Sequence, residues 1–314
     1  MMLDGYAYPG FTYPPELTQF RVFCDGIYAD SERQKSRRSR RVPTRSAEVC
    51  EDTDLAKRCE RLRRQLASRD ASGALGAVWA LSRDPAGCRL VQSALEITDQ
   101  RTAELLASEL KSHVREAAAS PHANYVLQKV IIQLHPKASA FIAEELLEQG
   151  ARFARHRFGC RILCRLLEHC TTEEMTFRLI DEILADREEA LDLCRHNFGH
   201  HVVQLVLERG DPRHKDILVE VLLKDLPSNA AHRRASYVVE AALGNCSPKD
   251  QLRMLEQLRQ PAVLSELAQS RFGLFVARTL LRRPEVDAEN LRKIPAVDEL
   301  MKKTDAALAL ERWP

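Results

Sequence analysis

Six short phrases carry side chains suited to the edge and the face of a flat heterocycle: GCRLVQ from Gly87, ANYVLQ from Ala123, GCRILC from Gly159, GHHVVQ from Gly199, ASYVVE from Ala235 and GLFVAR from Gly273. With the residue after the leading Gly or Ala taken as position one, position two is planar in every copy, as Arg89, Tyr125, Arg161, His201, Tyr237 and Phe275. Planar side chains stack on base faces for ~1–3 kcal/mol per base. Position five holds Gln92, Gln128, Cys164, Gln204, Glu240 and Arg278. A glutamine amide both donates and accepts, which suits the mixed edges of adenine and uracil. An ionised Glu240 only accepts, which suits guanine, whose N1–H and amino group both donate. Cys164 is a poor partner for any base edge, because a thiol donates and accepts weakly. Position one is Cys88, Asn124, Cys160, His200, Ser236 and Leu274.

The elements that must hold these groups follow from the spacing. Position one falls at 88, 124, 160, 200, 236 and 274, in steps of 36, 36, 40, 36 and 38 residues, which marks a repeat array. Positions three, four, seven and eight are apolar in every copy, for example Val202, Val203, Val206 and Leu207, and that spacing draws one stripe along a 3.6-residue helix. Positions one and five share the opposite face, one turn apart, with position two at its edge. The Gly or Ala before position one predicts a close backbone contact. Amphipathic segments Thr102–Glu116, Ala138–Glu148, Phe177–Leu193 and Lys215–Lys224 are expected to form outer helices. The acidic stretch Asp181–Glu189 is expected to hold the extra length of the 40-residue step and to face solvent or a partner. Pro248, Pro261, Pro284 and Pro295 mark turns.

From about residue 84 to 281 these phrases resemble the Pumilio (PUF) repeat, in which two or three side chains of each repeat read one RNA base. Cys88, Arg89 and Gln92 look like the family's adenine-reading set, Asn124, Tyr125 and Gln128 its uracil-reading set, and Ser236 with Glu240 its guanine-reading set. The resemblance implies an all-α, curved α-solenoid of about six three-helix repeats, with helical caps at about 55–81 and 282–314. Positions one, two and five would then lie on one continuous concave surface. The family binds RNA antiparallel, so the implied target is 5′-N-G-(U)-A-U-A-3′ in single-stranded RNA, with messenger RNA 3′ untranslated regions as the target class. Post-transcriptional regulation by a monomer in the cytoplasm is implied, with the nucleus open as a second location and regulatory proteins on the convex face. Two other readings stand beside it: a nuclear or nucleolar Pumilio-like protein that binds ribosomal or structured RNA without selection, and a helical protein-binding scaffold.

Charge and composition narrow the classes. The chain of 314 residues has a net charge of +2, of which Arg33–Arg45 contributes +7 and residues 1–32 contribute −4. The remainder is therefore −1, too near neutral to rely on bulk phosphate attraction, and a local groove with stacking must serve instead. Residues 1–54, rich in Tyr, Pro, Ser and Arg, are expected to be disordered, with the basic run as a nuclear import signal, an auxiliary nucleic-acid contact or a solvated tail. No stretch approaches a membrane span, and MMLDGYAYPG lacks the apolar run of a secretory signal. Nine scattered cysteines fit reduced thiols.

His156, Cys160 and Cys164, then Cys194, His196 and His200, invite a zinc reading. The repeat offers a simpler one: His156, His196 and His232 occupy the place that Asp84, Ser120 and Ser270 hold in the other copies, where Asp and Ser cap helices. No glycine loop for phosphate, no unexplained Ser/His/Asp set and no paired carboxylates appear, so neither catalysis, a metal nor a cofactor is expected.

Overall fold

The computed structural model describes residues 49–283, 286 and 291–302. The chain divides into Met1–Asp52 and Thr53–Pro314, and the array lies in the second unit. The basic run Arg33–Arg45, most of the segment 1–54, and much of the expected C-terminal cap at about 282–314 lie outside the described residues. Among the described residues there are helices and no strands.

A helix at Val49–Ala67 and a 3-10 turn at Ser72–Ala74 precede six repeats. Each of the first five repeats has a leading helix, an inner helix carrying the phrase, and an outer helix, and the sixth shows the first two among the described residues. The inner helices are Gly87–Ile97, Ala123–Gln133, Gly159–His169, Gly199–Arg209, Ala235–Asn245 and Gly273–Leu281. The leading helices are Val78–Arg83, Val114–Ala119, Gly150–Ala154, Arg187–Arg195, Leu226–Ala231 and Pro261–Gln269. The outer helices of the first five repeats are Gln100–Ser108, Pro136–Leu146, Glu174–Ile183, Pro212–Leu223 and Pro248–Leu258. Every inner helix packs on the inner helix of the next repeat, which makes the array an α-solenoid.

The apolar stripe forms the core. Positions four and seven are buried in all six inner helices. Position three is buried in all but the first, where Leu90 is half-buried, and position eight in all but the last, where Leu281 is half-buried. Each such Val, Leu or Ile contributes ~1.5–3 kcal/mol on burial. The small residue that opens each inner helix is explained by contact: a Cβ on Gly159 would lie 2.8 Å from the Phe153 carbonyl oxygen, and one on Gly199 2.6 Å from Leu193 Cδ2. Prolines 136, 212, 248 and 261 stand in first helical turns, where the missing N–H costs nothing.

The first three repeats share a further device. Glu109 accepts the backbone N–H groups of Gly76 and Val78, Glu145 those of Ser112 and Val114, and Glu182 those of Glu148 and Gly150. A carboxylate at the end of each outer helix thus clamps the N-terminus of its own repeat's leading helix, where donors are otherwise orphaned. The clamped turn enters the left-handed region, with φ of 74° at Gly76, 68° at Ser112 and 67° at Glu148.

Two expectations need correction. Phe177–Leu193 is not one outer helix: it breaks after Ile183, and Asp186 caps the new leading helix by accepting from the N–H groups of Glu188 and Glu189. The extra length of the 40-residue step sits in the loop 170–173 and in the long leading helix Arg187–Arg195. The acidic stretch does face solvent, with residues 185–189 exposed, and it also pairs within the array. Asp181 meets Arg213 at 3.2 Å and His214 at 2.9 Å, Glu182 is a clamp, and Glu188 pairs with Lys224 at 2.7 Å. Likewise Thr102–Glu116 is divided between the outer helix Gln100–Ser108 and the leading helix Val114–Ala119.

Candidate nucleic-acid interface

A histidine, serine or aspartate caps each inner helix. Asp84 Oδ1 accepts the N–H groups of Ala86 and Gly87, Ser120 Oγ those of His122 and Ala123, and Ser270 Oγ that of Gly273. In the middle repeats the ring Nδ1 does the same work: His156 accepts from Phe158 and Gly159, His196 from Phe198 and Gly199, and His232 from Arg234 and Ala235, at 3.1–3.3 Å. A ring nitrogen that accepts two N–H bonds must be unprotonated. Burial, then neighbouring arginines, holds all three rings below the usual histidine pKa. These histidines are helix caps.

With the helices so fixed, position two forms the exposed row. Arg89, Tyr237 and Phe275 are exposed, and Tyr125 and Arg161 are half-buried. Two adjacent members meet across repeats: Arg161 Nη1 lies 3.5 Å from the Tyr125 hydroxyl. His201 departs from the row and is buried, its ring centroid 3.8 Å from that of His200, which in turn lies 6.2 Å from Tyr237.

Position one does not share the exposed face. Cys88, Asn124, Cys160, His200 and Ser236 are all buried. The side chains turn back onto the preceding turn: Asn124 Nδ2 donates to Ser120 O at 2.7 Å, His200 Nδ1 to His196 O at 2.8 Å, and the Cys88 and Cys160 thiols to Pro85 O and Arg157 O. Backbone carbonyls one turn back compete well for such short polar groups. A helical wheel places position one opposite the stripe but omits both this bond and the neighbouring inner helix.

Position five is half-buried at Gln92, Gln128, Gln204, Glu240 and Arg278, whereas Cys164 is buried. The glutamine orientations are determined by their partners. Gln92 Nε2 donates to Cys88 O at 3.0 Å, and a carbonyl can only accept. Asn124 spends its amide nitrogen on Ser120 O, so its Oδ1 accepts from Gln128 Nε2 at 2.9 Å. Both glutamines therefore keep Oε1 and one N–H uncommitted by these bonds. Gln204 is hydrogen-bonded with His201.

Electrostatics separates the repeats. Burial drives His200 down to about 4 and His201 to about 3, so both rings are neutral near pH 7. His200 Nδ1 faces a carbonyl and carries the hydrogen, which leaves Nε2 an acceptor. Burial pushes the Glu240 carboxyl up, and a hydrogen bond from Thr279 Oγ1, 3.1 Å from Oε1, acts against that shift. Phrase-level reading passed over Thr279, because the partners are 39 residues apart. The thiols are inert: burial raises Cys88 and Cys170, Cys246 to about 11 and Cys194 to about 12.

The arrangement is a run of successively packed inner helices, most of which bring a planar group and a hydrogen-bonding group towards one edge, His201 and Cys164 being buried. Residues 54–186 match the NOP9-like PUF repeat domain, and residues 190–223 and 230–259 match the Pumilio-family RNA binding repeat. The chain belongs to the Pumilio (PUF) family. Among Pumilio relatives, a Pumilio domain-containing protein of Schizosaccharomyces pombe is 22% identical over 221 residues, 69% of this chain and 32% of that protein. Pumilio homolog 9 of Arabidopsis thaliana is 23% identical over 209 residues, 66% of this chain and 36% of that protein. This Pumilio chain thus spans about a third of the length of those relatives. The fold is that of solved PUF domains. PUF-8 in complex with PBE-RNA aligns with a TM-score of 0.66 at 20% identity, covering 82% of this chain and 79% of that one. The Puf3 RNA binding domain bound to a Cox17 RNA 3′ UTR recognition sequence aligns with a TM-score of 0.64 at 22% identity, covering 74% and 69%.

Proposed function

We propose that this Pumilio chain binds single-stranded RNA along the row of inner helices, one base to a repeat, and acts in post-transcriptional control of messenger RNA in the cytoplasm. The observation that carries the proposal is the row of planar position-two side chains, from which His201 is withdrawn, with Arg161 reaching the Tyr125 hydroxyl across repeats and a position-five residue in each phrase. Stacked bases need such a ladder of planar side chains. The edge chemistry varies along it. Gln128, with Oε1 outward, accepts from uracil N3–H while its remaining N–H donates to a uracil carbonyl. Glu240 accepts from both guanine donors. With antiparallel polarity taken from the family resemblance, the target is 5′-N-G-(U)-A-U-A-3′. The solved relatives bound to PBE-RNA and to a 3′ UTR sequence support this reading.

One observation favours a second reading, non-selective binding of ribosomal or structured RNA in the nucleolus. Residues 54–186 match a NOP9-like domain, and the third and fourth repeats carry Cys164 and the buried His201 where selective contacts are wanted. Selection of bound RNAs from a random single-stranded pool tests both. Enrichment of a guanine two positions 5′ of A-U-A supports base reading. Binding without enrichment supports the second reading, and absence of binding refutes both.

A further inference from the structure

We propose that Thr279, at position six of the sixth repeat, is a positioning residue that sets guanine selection by Glu240 of the fifth; this rests on the base-reading function proposed above. Glu240 belongs to the inner helix Ala235–Asn245 and is half-buried, while Thr279 belongs to the next inner helix, Gly273–Leu281. Thr279 Oγ1 donates to Glu240 Oε1 at 3.1 Å. A glutamate side chain turns about several single bonds, and an unheld carboxylate would sample rotamers that present one oxygen, or neither, to a base. A branched threonine on a helix has few rotamers of its own, so its hydroxyl is a firm anchor. The bond uses one lone pair of Oε1 and leaves the other, with both of Oε2, for the N1–H and amino donors of guanine. Adenine meets the same fixed oxygens with the lone pair of N1, which they repel.

The sixth repeat gains a role from this. Its own phrase, with Leu274, Phe275 and Arg278, matches none of the reading sets of the other repeats, and the other position-six residues are Ser93, Lys129, Arg165, Leu205 and Ala241. Lys129 also reaches back one repeat, but to Glu96 at 2.5 Å, well past position five. Thr279 is placed to act on a reading residue.

The test compares the parent with Thr279→Val, which keeps the shape and removes the donor, and Thr279→Ser, which keeps the donor. Equilibrium binding is measured with 5′-AGUAUA-3′ and 5′-AAUAUA-3′, and folding is checked by thermal unfolding. Thr279→Val is expected to lower the guanine-over-adenine preference on the order of tenfold, as loss of a hydrogen bond to a charged group does, while Thr279→Ser retains it. A change in the final adenine should affect all three proteins alike. If Thr279→Val discriminates as the parent does, or Thr279→Ser fails as badly as Thr279→Val, the proposal is overturned while base reading stands. A parent without guanine preference overturns both.

Discussion

The two adjacent histidines of the fourth repeat predict how stability responds to acid. His200 is 2% exposed and His201 9%. Burial is the first cause of the depressed value in each, about 4 for His200 and about 3 for His201 against an ordinary 6.5. The unfolded chain therefore binds protons that the native chain refuses. The stabilisation from these two rings is complete above about pH 6.5 and is lost as pH falls towards the native values. A histidine charged only in the unfolded state lowers stability by about 1.4 kcal/mol per pH unit. Two such rings remove about 2.8 kcal/mol per unit between roughly pH 6 and 4.5, or about 4 kcal/mol over that span, a large share of the 5–15 kcal/mol typical of a domain. Glu208 and Glu240, raised by burial, act with the opposite sign, so the parent curve alone does not isolate the pair. The double variant His200→Asn, His201→Tyr does, and it installs the Asn-Tyr pair that the second repeat already packs at Asn124 and Tyr125. Urea unfolding followed by far-ultraviolet circular dichroism at pH 7.5, 6, 5 and 4.5 is expected to show the parent weakening steeply and the variant much less. Equal slopes in the two proteins would refute the assignment.

Glu145→Gln leaves one clamp donor of the pair Ser112 and Val114 unmet, and hydrogen exchange at those amides should speed up by about tenfold, with the clamps at Glu109 and Glu182 undisturbed; unchanged exchange there would show that the clamp is idle. Glu240→Gln replaces an acceptor-only group with a mixed one and is expected to lose roughly tenfold or more for the guanine-bearing RNA, gaining relative affinity for uracil at that position. Competition with guanine, uracil and adenine oligonucleotides reads this directly, and parent-like preference would count against selective reading by the fifth repeat. Cys164→Gln adds an amide beside Cys160 and Arg161 and should sharpen adenine preference at the third repeat, in the same competition format; a flat preference would remove the role given to position five there.

The inner helices were legible because each is 9–11 residues long and keeps one apolar stripe, opened by a Gly or Ala, with a Cβ meeting close contacts at Gly87, Gly159, Gly199 and Gly273. The caps were legible because Asp84, Ser120, His156, His196, His232 and Ser270 hold one register. The leading helices were not: Gly150–Ala154 has five residues, too few to display a period, and so Thr102–Glu116 and Phe177–Leu193 looked continuous. The Glu clamps act across 31–34 residues, beyond any local pattern. Their signal lay in register: Glu109, Glu145 and Glu182 return at nearly the period of the phrases. At the candidate interface, the phrases made position two legible as an exposed row except at His201, but the depth of position one depended on a bond to the preceding turn that side-chain type alone does not fix.

That depth bears on how far reading and folding are separable. In the first, second and fifth repeats, position two projects and position five is half-buried, so changes at Arg89, Tyr125 or Tyr237 touch the row without opening the core. The fourth repeat is built otherwise. His201, whose position should supply a stacking ring, is buried against His200 and held with Gln204, so the three groups that would select a base are also packing groups. Any substitution there that improves base contact must also replace buried contacts, and any base that engages His201 must first draw it out. On the proposed base-reading function, selectivity and stability are therefore coupled at His200, His201 and Gln204, where base contact and core packing draw on the same side chains.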